Sequence, residues 1–73
     1  MKQPLDPSPL EQKIHNLVQN SKWEPDVEEW EFDEHEQCVA YSLFDGTTLV
    51  VYEDGSYIHH TENGMETGEI AQA

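Results

Sequence analysis

The sequence predicts an α+β domain in which one N-terminal amphipathic helix packs on an antiparallel meander of three to four strands. Three observations predict it. Apolar residues recur at helical spacing between Leu10 and Val18, two Asp-Gly pairs separate strand-like runs after Cys38, and acids alternate with aromatics from Glu28 to Asp33. With 73 residues, the chain has room for a single domain, 1–73, with one small core.

Residues 1–8 form a Pro-punctuated leader. Ser8, Pro9 and Glu11 then fit the N-cap, first and third positions of a capping box. Leu10, Ile14, Leu17 and Val18 follow at i, i+4, i+7 and i+8, which makes one apolar stripe. Asn20 and Ser21 are terminators and Pro25 blocks continuation, so the helix is expected over 9–20.

The sheet is expected within 28–60. Asp45-Gly46 and Asp54-Gly55 are strong hairpin signals, and they divide Cys38–Phe44, Thr47–Glu53 and Ser56–His60 into a three-stranded meander. With two-residue loops, Phe44 opposes Thr47, Ser42 opposes Leu49 and Ala40 opposes Val51. Tyr52 then opposes Tyr57, and Val51 opposes Ile58. Alternation gathers Ala40, Phe44, Leu49, Val51 and Ile58 on one face, and Val39, Tyr41, Leu43, Val50, Tyr52 and Tyr57 on the other. One short helix covers a single face. The aliphatic face is the expected side and the tyrosine face the other choice, with the segment Trp23–Phe32 or a partner left to cover the remainder. Glu28–Asp33 reads as a fourth strand at the sheet edge, with Trp30 and Phe32 inward and Glu29, Glu31 and Asp33 outward. Residues 61–73, polar and containing Gly64 and Gly68, are expected to be a loose tail.

The charge is the main functional clue. The chain carries sixteen Asp and Glu against three Lys and no Arg, for a formal charge of −13. All three lysines (Lys2, Lys13, Lys22) lie at or before residue 22. Direct binding to nucleic acid or to an anionic membrane surface is excluded, because both need basic side chains. No apolar run approaches a membrane span or a signal-peptide core, and one cysteine cannot close an internal disulfide. A cytoplasmic setting is therefore expected.

Glu24, Asp26, Glu28, Glu29, Glu31, Asp33, Glu34 and Glu36 crowd into one block with Trp30 among them. On an extended strand, same-face carboxylates recur at roughly 6.6–6.8 Å. Glu24/Asp26/Glu28 and Glu29/Glu31/Asp33 would thus form rows of charge with a spacing of the order of a nucleic-acid backbone's. A basic groove that holds DNA or RNA would accept such rows in place of phosphate. These nine residues are the candidate partner-binding site, with Trp30 as its desolvated anchor. The plainer alternative is a solvated face that only keeps the protein soluble or suits it to high salt.

Other constellations carry less. His59 and His60 are adjacent on a strand and point to opposite faces, so no metal site and no cofactor are expected. Cys38 has no basic neighbour to lower its thiol pKa and reads as a core residue. No group has the concave setting that general acid catalysis requires, so no enzymatic activity is expected.

In size, in charge and in the acidic block 24–36 set beside a helix-plus-sheet scaffold, the chain resembles the small acidic inhibitors encoded by phages and other mobile elements. These include anti-CRISPR proteins, anti-restriction proteins and inhibitors of uracil-DNA glycosylase, several of which act as DNA mimics. The segment Tyr41–Tyr57, with its two Asp-Gly turns, is loosely similar to a hairpin region in one anti-CRISPR family that blocks DNA binding by a type I surveillance complex. The resemblance implies a non-enzymatic inhibitor that occupies the basic nucleic-acid-binding surface of a partner protein or complex, such as a CRISPR or other defence nuclease, in the cytoplasm of a phage-infected bacterium. The alternative is a structural or interaction domain that homodimerises through the tyrosine-rich sheet face.

Overall fold

The computed structural model describes residues 9–70. The expected leader with its Ser8 cap, and residues 71–73 of the expected tail, lie outside the described residues. Helix α1 spans Pro9–Gln19 and buries Ile14 and Val18 completely. Leu10 and Leu17 flank them on the same apolar stripe and are partly buried. The helix stops where the last carbonyls find other donors. Asn20 and Ser21 make tight backbone bonds to Leu17 and Val18 (3.3 and 3.0 Å), and their side chains donate to the carbonyls of Asn16 (2.8 Å) and Val18 (2.7 Å). Pro25 then sits in a single 3-10 turn, Glu24–Asp26.

Five strands follow: β1 (Val27–Asp33), β2 (Cys38–Leu43), β3 (Thr48–Tyr52), β4 (Ser56–Thr61) and β5 (Gly64–Glu69). They pair in chain order as one antiparallel sheet. The α+β class stands, with five strands rather than three to four. The fifth lies within the stretch expected as a loose tail. Thr61 faces Gly64 across a two-residue connection, with the Thr61 hydroxyl accepting from the Asn63 N–H and donating to the Gly64 carbonyl, both at 3.2 Å. Beyond β5, Ile70 is buried and its N–H donates to the Gly55 carbonyl at 2.8 Å. That apolar anchor and a full ladder to β4 are what order this segment.

The register also differs from expectation. Tyr41 faces Leu49 and Ala40 faces Val50, while Val51 faces Tyr57 and Val50 faces Ile58. Each Asp-Gly pair lies in a three-residue loop, not a two-residue one. At the first turn Gly46 N–H donates to Leu43 C=O and Leu43 N–H to Thr47 C=O, both at 3.0 Å, with Gly46 at φ 89°. The second turn repeats it, with Gly55 at φ 92° donating to Tyr52 C=O at 3.0 Å. This is a turn closed by a left-handed glycine in a bulge, which inserts one residue relative to the two-residue hairpin. In each loop the Asp accepts from the residue after the Gly. Thr47 donates its N–H (2.9 Å) and hydroxyl (2.6 Å) to Asp45 Oδ1, and Ser56 does the same to Asp54 at 2.9 and 2.6 Å.

One extra residue turns a strand over relative to its neighbour. The two expected faces are therefore reshuffled. Helix α1 covers Val39, Tyr41 and Leu43 together with Leu49 and Val51, all of them buried with Ile14 and Val18 in one cluster. Phe44, expected in the aliphatic face, sits in the turn and is 68% exposed. Ile58 and Ala40 lie on the opposite face. The tyrosine-rich face proposed for self-association is not formed, because Tyr41 is only 2% exposed beneath the helix while Tyr52 occupies the other side.

Candidate functional site

Among the described residues, the sheet has a covered face and an open one. Across the covered face the register aligns Trp30, Tyr41, Leu49, His59 and Glu66, and beside them Phe32, Val39, Val51, Tyr57 and Gly68. Trp23 also lies on this side, with its ring 5.5 Å from that of Tyr57 and 4.8 Å from that of His59. Trp23, Trp30 and Phe32 thus extend the covered side, and no other element of the described residues packs on the opposite face. Gly68 is needed here, because a Cβ on it would lie 2.7 Å from Tyr57 Oη.

The open face is a grid of three cross-strand rows. One is Glu29, Ser42, Thr48, His60 and Met65; the next is Glu31, Ala40, Val50, Ile58 and Thr67. A third begins Asp33, Cys38, Tyr52 and is continued by the Ser56–Glu69 pair. Every row therefore starts on β1 with a carboxylate. No Lys or Arg belongs to the grid, since residues 23–73 contain none. The lysines among the described residues are engaged elsewhere. Lys13 Nζ is 3.7 Å from Glu53, and Lys22 Nζ lies 5.0 Å from the Trp23 ring centroid.

The nine candidate residues are distributed unevenly. Glu29, Glu31 and Asp33 share the open face, as the acid–aromatic alternation predicts. Glu34 and Glu36 follow in the β1–β2 turn, where Asp33 Oδ1 accepts from the N–H groups of His35 (3.0 Å) and Glu36 (3.1 Å). A depression of about 360 Å³ at this end is lined by Glu31, Asp33, Glu34 and Ala40, among others. The expected row Glu24/Asp26/Glu28 does not form. Glu24 and Asp26 are in the 3-10 turn, and a β-bulge at Glu28 breaks the alternation. Trp30 points to the covered side, although it is 52% exposed, so it is not flush with the carboxylates around it. The residues that the sequence left out of the site are the central Ala40, Val50 and Ile58 and the far-edge Met65 and Glu69. The alternation Met65, Thr67, Glu69 after the Asn63-Gly64 turn signal was the available clue.

Two partly buried polar arrangements flank the core. Burial, aided by the Glu11 carboxylate, raises the Tyr41 phenol well above its usual range, so it keeps its proton. Its O–H then donates to His15 Nδ1 at 2.7 Å, and His15 Nε2–H donates to Glu11 at 3.2 Å. On the other flank the Thr47 hydroxyl, already donating to Asp45, accepts from His59 Nε2–H at 2.8 Å. His59 Nδ1 lies 3.7 Å from Glu66 without a hydrogen bond. The Cys38 thiol is raised by burial and by Asp33 and Glu36, which disfavours the thiolate. Among the described residues no group of three or more His, Cys, Asp and Glu is placed to hold a metal ion, and no helix is long and apolar enough to cross a membrane.

Comparison of the chain with known protein families, curated proteins and solved structures found no match. The functional reading therefore rests on the geometry and charge of the open face.

Proposed function

We propose that this chain is a non-enzymatic acidic inhibitor that occupies the basic nucleic-acid-binding surface of a partner protein or complex, as a mimic of the phosphate backbone. One observation carries the reading: Glu29, Glu31 and Asp33 stand side by side along β1 on a sheet face that no other element of the described residues covers and that contains no Lys or Arg. Carboxylates held on a strand keep a fixed spacing, so a basic groove meets them already ordered. Counterion release then drives association as it does for nucleic acid, and long-range attraction speeds the encounter. Such a role implies a cytoplasmic setting, where nucleic-acid machinery operates.

The test is affinity capture from bacterial lysate on the immobilised full chain, at low and at high salt, followed by elution with duplex DNA. The expected result is a basic nucleic-acid-binding protein that is retained at low salt, lost at high salt and displaced by DNA. The Glu29→Gln/Glu31→Gln variant should not retain it. Retention indifferent to both salt and DNA would refute the mimicry.

A further inference from the structure

The open face is more than a charged edge. Its middle row places Ala40, Val50 and Ile58 side by side on β2, β3 and β4, each half-buried and none covered by another element of the described chain. Met65 adds an exposed apolar side chain on β5, at 66% exposure. Carboxylates border this strip, with Glu29, Glu31 and Asp33 along β1 and Glu69 on β5. A surface built only to repel or to stay hydrated has no use for an apolar strip framed by acids.

From this frame we infer that the open face docks a basic amphipathic helix of the partner, with the helix's apolar stripe on Ala40, Val50 and Ile58 and its Lys and Arg residues against the β1 carboxylates. This rests on the reading of the partner as a basic protein and specifies which part of it binds. The dimensions fit. From β2 to β4 is two strand spacings, about 9.6 Å, and a helix with its side chains is about 10 Å across. The protein already covers its other face in this way, with α1 lying over Val39, Tyr41, Leu49 and Val51. A second helix would turn a two-layer domain into a three-layer sandwich. A second copy of this chain is a poor occupant, since two open faces, each bordered by carboxylates on β1 and β5 and free of Lys and Arg, would meet with no lysine or arginine between them. An extended basic segment would pair with the carboxylates and leave the apolar row in water.

The experiment titrates the isotope-labelled full chain with two synthetic eighteen-residue peptides of identical Leu, Lys and Ala content. One has leucines at i, i+3, i+4 and i+7 with lysines on the flanks; the other is scrambled. The helical peptide should bind at least tenfold tighter, gain helicity on binding, and shift the amide signals of Ala40, Val50 and Ile58. Ile58→Thr, which keeps the branched strand side chain, should remove most of that preference, and Val50→Thr should do the same if the first variant folds poorly. Equal binding of both peptides, with shifts confined to β1, would overturn helix docking and leave the basic-partner reading standing. Absence of binding by either peptide at low salt would overturn both. Shifts centred on α1, or a homodimer that buries the open face at the same concentration, would also overturn the inference.

Discussion

The ring of Trp30 meets that of His15 edge to face, with centroids 4.8 Å apart and planes at 65°. Trp23 and His59 repeat that distance and angle on the other flank of the covered face. In each case the histidine also bonds a hydroxyl, Tyr41 or Thr47, and faces a carboxylate, Glu11 or Glu66. The helix and the chain leading into β1 are thereby pinned to the sheet by two tryptophan–histidine contacts, one of which involves a residue of the acidic block.

Trp30 is accordingly expected to act on stability before binding. A double-mutant cycle with Trp30→Ala and His15→Ala should give a coupling of about 0.5–1.5 kcal/mol by urea unfolding. Additive single effects would show that the ring contact contributes nothing.

Tyr41 should make the fold sensitive to alkali. Its phenol is raised in the folded state, chiefly by burial, so the native protein keeps a proton that the unfolded chain releases at about pH 10. Its contribution is complete below that pH and falls as pH rises above it. Absorbance at 295 nm should show Tyr41 ionising together with unfolding, and Tyr41→Phe should remove that part of the alkaline loss. The same variant leaves His15 Nδ1 without its donor, which should cost about 1–3 kcal/mol at neutral pH.

The duplicated turns should fail in the same two ways. Gly46→Ala and Gly55→Ala each force a side chain into the left-handed region, which should cost about 1–2 kcal/mol in urea melts. Asp45 and Asp54 are held below the usual carboxylate range, first by hydroxyl donation from Thr47 and Ser56. Their contribution is present above about pH 3.9 and is lost as pH falls through the lower folded value. Asp45→Asn should flatten that acid limb; an unchanged acid profile would show that the bonds do not persist in solution.

Neutralising open-face charge should stabilise the free protein. Glu29→Gln/Glu31→Gln is expected to raise the melting temperature by about 2–4 °C at low ionic strength. Near 1 M salt, where the screening length is about 3 Å, the gain should vanish. A gain that persists at high salt would trace to side-chain packing instead. Asp33 is left out because its carboxylate holds the β1–β2 turn.

Much of this architecture was legible in the residues. The stripe Leu10–Ile14–Leu17–Val18 specifies α1 to within one residue, because a period of 3.6 and the stop at Asn20–Ser21 agree. Alternation in β1 places Glu29, Glu31 and Asp33 on one side and Trp30 and Phe32 on the other. The pairing of β2 with β3 and of β3 with β4 was legible but their register was missed by one residue at each turn, since Asp-Gly fits both two- and three-residue loops. The discriminating detail is the Thr47 or Ser56 that follows each glycine and donates to the aspartate. β5 was missed because its order comes from pairing with β4 and from Ile70, and a strand with glycines at 64 and 68 is too weak a local signal. The apolar row of the open face could not be seen without the register, because Ala40, Val50 and Ile58 adjoin only through it.

The pairing of every strand with its chain neighbour shapes how this sheet assembles and how it loosens. Each hairpin closes a short loop, so the sheet zips up from local contacts with little chain entropy spent on distant ones. β1 lies at the margin of that zipper with one neighbour, and it can separate from β2 without breaking any other strand pair. Its amides should exchange with solvent through openings smaller than global unfolding. A ligand seated on β2 to β4 and paired with the β1 carboxylates would suppress those openings. The strand with the most to repel in isolation is then the one whose order a bound partner would increase most.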